Sequence, residues 1–422
     1  MTYLAERLFC SNPLCETILV SKLDRCPRCQ ESQHYCPNCQ SSLRVLSRFC
    51  RNCGNILRKD YAVEHPDLRL RPSQNISVTV KSIFHLDWEI DLETEMTASP
   101  LIARGIIVLT LATGHILILD ESDGQVRKEL ATNPPLSFTP IITDNLLIVA
   151  TREGVIAFDL IAALYGNLSR GGLKAWQYQL NTDEQVTKPL LATIDQVIVV
   201  VKSNQRTKLI FLDKKTGKLQ SDITLQTDKT TNLYLKGKEL FIGTKNGAII
   251  AVDITQAKII ASTQSGRGVD TNISPVSINN SLLFVLGDGQ IWSCQTEELA
   301  ANKLSLRAFG DTGGLLINAL SANNKYLVVS HGFGIAVYDK YGKKVWDTQL
   351  DANSISSQAL IVDDWVWVID DSGIMFFFHI ASSVPKLRQR VFQYAVSLPS
   401  ILTQDRLICS NRLAQVKIFR LD

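Results

Sequence analysis

The chain has 422 residues, a formal net charge of +3, 45% hydrophobic residues and 20% charged residues. That length exceeds what one hydrophobic core serves, so it calls for two or more domains, or a repeat array with an appendage. The composition excludes a disordered chain and a strongly nucleic-acid-seeking one.

The opening "MTYLAERLFC" has no basic region followed by an apolar one, so no secretory signal is expected. The most apolar stretch, "LIARGIIVLTLATGHILIL", is broken by Arg104, Gly105, Gly114 and His115. It falls short of the roughly 18 clean residues of a membrane helix and reads as successive strands. Closely paired cysteines on such a chain favour metal ligation in a reducing compartment, and the expectation is a cytoplasmic protein.

The cysteines come first in chain order. Eight of the ten fall as Cys10 and Cys15, Cys26 and Cys29, Cys36 and Cys39, Cys50 and Cys53. Ten residues separate Cys15 from Cys26 and ten separate Cys39 from Cys50, so the region reads as two tandem units of pair, hairpin, pair. Each unit supplies four thiolates, enough to close the tetrahedral shell that zinc prefers, with no position left for water. Two structural zinc ions are expected, and a segment this small depends on them for folding. A redox reading of the Cys-x-x-Cys pairs needs a βαβ context that the flanks lack. His34 is a substitute ligand that the cysteine count makes unnecessary.

The "CPRC", "CPNCQ" and "FCRNCG" knuckles make the segment resemble the double zinc ribbon family over about 50 residues. The first knuckle, "CSNPLC", departs from it by holding four residues between its cysteines. Arg44, Arg48, Arg51, Arg58 and Lys59 cluster around the last knuckle and give a second reading of the module, as a weak nucleic-acid binder.

Residues 1–60 form the expected ribbon module and 61–81, with Pro66 and Pro72 and no sustained period, a linker. A repeat then fills 82–422. Its register marker falls at Pro100, Pro140, Pro189, Asn232, Pro275, Ala319, Ala359 and Pro399, spaced 40 to 49 residues apart. Each unit holds β-branched and aromatic runs of strand length bounded by turn residues, the pattern of propeller blades. The last unit is one strand short, while "FHLDWEIDL" stands alone before the first and looks like "KKVWDTQL" and "LKAWQYQL" elsewhere. The strand near 84–92 is therefore expected to complete the last blade and close the ring. The fold class is mainly β: an eight-bladed propeller with an N-terminal double zinc ribbon.

The openings "ASP" and "FTP", the strands "GAIIAVD" and "GIAVYD" and the turns "DKKTGK" and "DKYGKKVW" resemble the PQQ-type propeller repeat family, found in outer-membrane assembly lipoproteins and quinoprotein dehydrogenases. The resemblance covers about 340 residues and implies a propeller, with a quinone pocket only in the enzymes. No vicinal cysteine pair occurs here. "GDTGG", Gly310 to Gly314, has Thr312 where a protease loop has serine and reads as an inter-blade turn. His115, His331 and His379 are expected to be structural, Asp363, Asp364, Asp370 and Asp371 to flank hairpin turns, and Cys294 and Cys409 to act as small buried hydrophobes. One insertion, within 161–172, lengthens the second blade; it reads as a binding loop or as padding.

The function expected from this reading is a non-enzymatic adaptor or scaffold working through protein–protein interaction within a multiprotein assembly. No small-molecule substrate, catalytic residue or membrane contact is expected; a degenerate quinoprotein-like enzyme is the third reading.

Overall fold

The computed structural model describes residues 84–421 apart from 93, 133–137, 166–172, 205, 297–302, 314, 333, 351–354, 356–357, 393–400, 403–405 and 412–413. Before residue 84 it describes 8–9, 18–19, 21–27, 32–36, 40 and 42–43. Most of the expected ribbon module and the whole expected linker thus lie outside the described residues.

Eight antiparallel sheets follow one another along the chain. Blade 1 runs from Leu101–Ala103 to Val126–Ala131, and blade 2 from Ile141–Thr143 to Lys174–Gln179. Blade 3 spans Glu184–Val186 to Leu219–Leu225, blade 4 Tyr234–Lys236 to Lys258–Gln264, and blade 5 Val276–Ile278 to Leu306–Ala308. Blade 6 spans Ile317–Ala322 to Lys344–Gln349 and blade 7 Leu360–Val362 to Leu387–Arg390. Blade 8 joins Ile401–Leu402, Arg406–Ser410 and Gln415–Leu421 to Phe84–Asp91, which pairs with Gln415–Leu421 through registers such as Ile418↔Trp88. The chain is mainly β and forms an eight-bladed propeller.

Burial explains the sequence pattern strand by strand. The middle strands are apolar on both faces because both faces meet neighbouring blades: Ile106–Thr110 and Ala248–Asp253 are buried at every position. Outermost strands meet solvent, and Lys344–Gln349 alternates exposed with half-buried residues. Eight apolar clusters lie between successive blades, one per interface, so no blade face is left open.

A second repeat lies in the backbone itself. In six blades the third and fourth strands slip register at one place, as at Ala157/Phe158 and Val337/Tyr338. A bulge of this kind sharpens local twist, which the ring needs. Just before the turn, Asp120, Asp213, Asp253 and Asp339 accept amide hydrogen bonds from Ser122, Thr216, Thr255 and Tyr341 at 2.8 to 2.9 Å. These bonds turn the chain back on itself.

The outer strands then lock blade to blade. Trp88, Trp176 and Trp346 donate Nε1 hydrogen bonds to the carbonyls of Glu121, Lys214 and Ile380 on the next blade, at 3.1, 2.9 and 2.6 Å. Gly124 and Gly217 leave room for two of these indoles: a Cβ there would lie 2.6 Å from Trp88 and 2.4 Å from Trp176. Both glycines also hold φ near +70°, which favours glycine over any other residue. Blade 1 has Lys128 at the tryptophan position, and in the next blade the insertion contributes to the same interface. Its helix, Leu160–Tyr165, packs Leu160 and Ala163 into the cluster between blades 1 and 2.

Candidate functional site

Two places could carry function: the cysteine module and the faces of the ring. In the module, three short pairings bracket the first three cysteine pairs in the sequence. Phe9↔Ile18 brackets Cys10 and Cys15, Arg25↔Ser32 brackets Cys26 and Cys29, and Tyr35↔Ser42 brackets Cys36 and Cys39. Cys26 and Cys36 are fully buried. The Gln40 amide donates to the Cys36 carbonyl at 2.9 Å, and Gln40 takes a left-handed φ of +63° immediately after the second cysteine of its pair. A tight turn of this kind is the sort of backbone from which a Cys-x-x-Cys pair can offer two sulfurs to one zinc ion. Cys10, Cys15, Cys29, Cys39, Cys50 and Cys53 lie outside the described residues, as do Arg44, Arg48, Arg51, Arg58 and Lys59. Among the described residues no three His, Cys, Asp or Glu side chains form a metal-holding group.

One residue of the module escapes a reading based on cysteine spacing. The Tyr35 hydroxyl accepts from the Leu23 amide at 2.9 Å and donates to the Leu23 carbonyl at 3.0 Å, while Lys22 Nζ donates to Gln40 Oε1 at 3.3 Å. The available signal was the aromatic residue directly before a knuckle: Phe9, Tyr35 and Phe49 each precede a cysteine, whereas Arg25 precedes Cys26.

On the ring, polar groups at the starts of the innermost strands reach to neighbouring blades. Lys188 Nζ donates to the Thr271 carbonyl at 2.8 Å, from blade 3 to the approach of blade 5, a span that one side chain can bridge only near the axis. Burial and the neighbouring Lys229 lower its pKa. Asn232 Nδ2 donates to Ser274 Oγ at 2.7 Å, Asn318 Nδ2 to the Ile355 carbonyl at 2.6 Å and Gln358 Nε2 to the Leu320 carbonyl at 2.9 Å.

The remaining residues singled out in the sequence are structural. His115 pairs with Glu129 at 2.6 Å, His331 with Asp347 at 3.1 Å, and His379 packs edge-on to Trp365. Thr312 Oγ1 donates to the Gly289 carbonyl at 3.0 Å, so "GDTGG" ties blade 5 to the approach of blade 6. Beside it, Tyr338 donates to the Asp311 carbonyl at 3.1 Å, and burial pushes its pKa up to about 12. Asp370 accepts from the amides of Ser372 and Ile374 and so closes a hairpin turn. Cys294 and Cys409 are fully buried in two of the inter-blade clusters. No described helix is long and apolar enough to cross a membrane.

A PQQ-type family model described as outer membrane protein assembly factor BamB matches residues 85–298, about half of the chain. The chain belongs to this family. A relative from Shewanella oneidensis, outer membrane protein assembly factor BamB, is 22% identical over 288 residues, which make up 64% of this chain and 68% of the relative. The solved BamB structure from Moraxella catarrhalis superposes with a TM-score of 0.63 at 15% identity, over 80% of this chain and 100% of that one. A quinohaemoprotein alcohol dehydrogenase from Pseudomonas putida superposes with a TM-score of 0.61 at 10% identity, over 80% of this chain and 76% of that one. These last two likenesses show the fold, which assembly factors and dehydrogenases share.

Membership in the BamB family corrects one expectation. A cytoplasmic location does not stand, because the family and the Shewanella relative carry the name of an outer membrane assembly factor. The physical reason for the error is that cysteine spacing reports thiolate chemistry rather than compartment. A closed metal shell shields its sulfurs wherever the protein resides.

Proposed function

We propose that this chain is a non-enzymatic scaffold in a multiprotein assembly of the outer-membrane class for which its relatives are named. The propeller offers rigid rims to protein partners, and the front module carries two structural zinc ions. Cys10, Cys15, Cys26 and Cys29 would hold one ion, and Cys36, Cys39, Cys50 and Cys53 the other. Zinc in such closed shells supplies folding free energy and no open position for a substrate.

The observation that carries the scaffold reading is the use of the polar groups near the propeller axis. Lys188, Asn232, Asn318 and Gln358 are all engaged in bonds between blades. A quinone seated there would have to break these bonds, which supports a scaffold over a quinone enzyme. Hot-spot contacts on a rigid rim, by contrast, cost little ordering entropy.

The test uses the full chain. Pyrroloquinoline quinone with calcium should give no saturable binding, and partner proteins captured from the native cell should survive moderate salt. Saturable quinone binding with alcohol oxidation would overturn the scaffold reading. Sequence-selective nucleic-acid binding, lost when Arg44, Arg48 and Arg51 become alanine, would overturn it in favour of the second reading.

A further inference from the structure

We propose that Tyr35 couples the two zinc sites, so that the two ions are bound and released as a pair. This deepens the zinc reading above and rests on it. Tyr35 has its backbone in one knuckle and its side chain in another. Its backbone pairs with Ser42 in the hairpin that brackets Cys36 and Cys39. Its hydroxyl grips both polar groups of Leu23, three residues before Cys26.

The rungs of the earlier hairpin show what that grip does. Arg25 bridges Ser32, and the Gln33 amide donates to the Asp24 carbonyl at 2.9 Å. At the next rung His34 pairs forward with Leu43. The phenol of Tyr35 bonds to the Leu23 amide and carbonyl as a strand partner would. A second tie runs beside it: Lys22 bonds to Gln40 and lies 5.7 Å from the Tyr35 ring centroid. Cys26 belongs to one predicted shell and Cys36 to the other. Ordering either hairpin around its ion therefore fixes a residue that the other hairpin needs, which is a coupling free energy and must act in both directions.

The experiment follows zinc release from the full-length, zinc-loaded protein into excess chelator, read by a chromophoric zinc indicator. The wild type should lose both ions in one phase. Tyr35→Phe keeps the ring and the thiolates, so it should still hold two ions. It should release them in two phases with rates about tenfold or more apart, the effect of losing two hydrogen bonds. A single phase in Tyr35→Phe, or two phases in the wild type, overturns the coupling while leaving the zinc reading intact. A wild-type chain that holds no zinc overturns both. If Tyr35→Phe fails to retain metal, Lys22→Met removes only the lesser tie and should separate the phases by a smaller factor; a single unchanged phase there overturns the proposal.

Discussion

In the ring every blade is sealed against two neighbours, and eight apolar clusters share the work. Before residue 84 the buried residues described are Leu19, Cys26, Gln33, Cys36 and Ser42, of which Leu19 alone is aliphatic. One region draws its order from area removed from water, at roughly 25 cal/mol per Å². The described residues of the other bury little such area, and under the zinc proposal above that region draws its order from bonds to a metal. The two regions should therefore fail under different treatments, and this separates them experimentally.

The sharpest break is removal of residues 84–92. This takes the outer strand from blade 8 and Trp88 from the cluster between blades 8 and 1. It should destabilise the ring by about 5 kcal/mol or more or leave it insoluble, whereas removing residues 1–60 should hardly move its melting temperature. Equal melting of the two truncations would erase the distinction.

Metal removal should act the other way round. Strong chelation, or Cys36→Ser, should abolish protection from amide exchange in the front module and leave the ring's protection intact. Metal analysis before chelation should give two zinc ions per chain; loss of protection in both regions would make them one cooperative unit.

Within the ring, Trp176→Ala should cost about 3 to 5 kcal/mol in denaturant unfolding. Gly217→Ala, which drives a Cβ to 2.4 Å from that indole, should cost about 1 to 3 kcal/mol. Additive losses in the double variant would show that the two residues do not act as one contact.

The smallest effect concerns pH. The Asp120 carboxyl is lowered from 3.8 to about 2, chiefly by hydrogen bonds from Ser122 and then by Arg127. A depressed folded-state pKa means that its stabilisation is present above pH 4 and is lost as pH falls toward 2. Asp120→Asn should flatten that part of the pH profile slightly, measured as the urea midpoint between pH 2 and pH 5. An unchanged slope would remove the turn carboxylate from the account.

The eight-bladed ring was legible because its signals are periodic. Pro100, Pro140, Pro189, Pro275 and Pro399 recur at the starts of blades, and the tryptophan strands of blades 2, 6 and 8 look alike as text. Where the marker is lost, the structure supplies a substitute that no period reveals: Asn232, in a proline position, donates its side-chain amide to Ser274. The blade 2 insertion reads in the sequence as a binding loop or as padding. Its first turn is a helix whose Leu160 and Ala163 pack between blades 1 and 2, an interface to which blade 1 brings Lys128 rather than an indole. In the candidate metal site the spacing of the cysteines could be read directly. The Tyr35 to Leu23 bond could not, since a side chain that reaches a backbone twelve residues away leaves no repeat.

Ring closure also sets a timetable for synthesis. The strand Phe84–Asp91 leaves the ribosome well before its partner Gln415–Leu421, since 324 positions separate Asp91 from Gln415. At about 5 to 20 residues per second the early strand waits for roughly 15 to 65 seconds with its hydrogen-bonding edge unclaimed. Asp87, Glu89 and Asp91 recur along it at every second position, the kind of charge that keeps a waiting edge from recruiting another chain. On closure each acid finds a use. Asp87 meets Arg406 at 3.8 Å, Glu89 meets Lys417 at 3.4 Å, and Asp91 accepts from Gln415 at 2.7 Å. The charges that guard the nascent strand become the clasp of the finished ring.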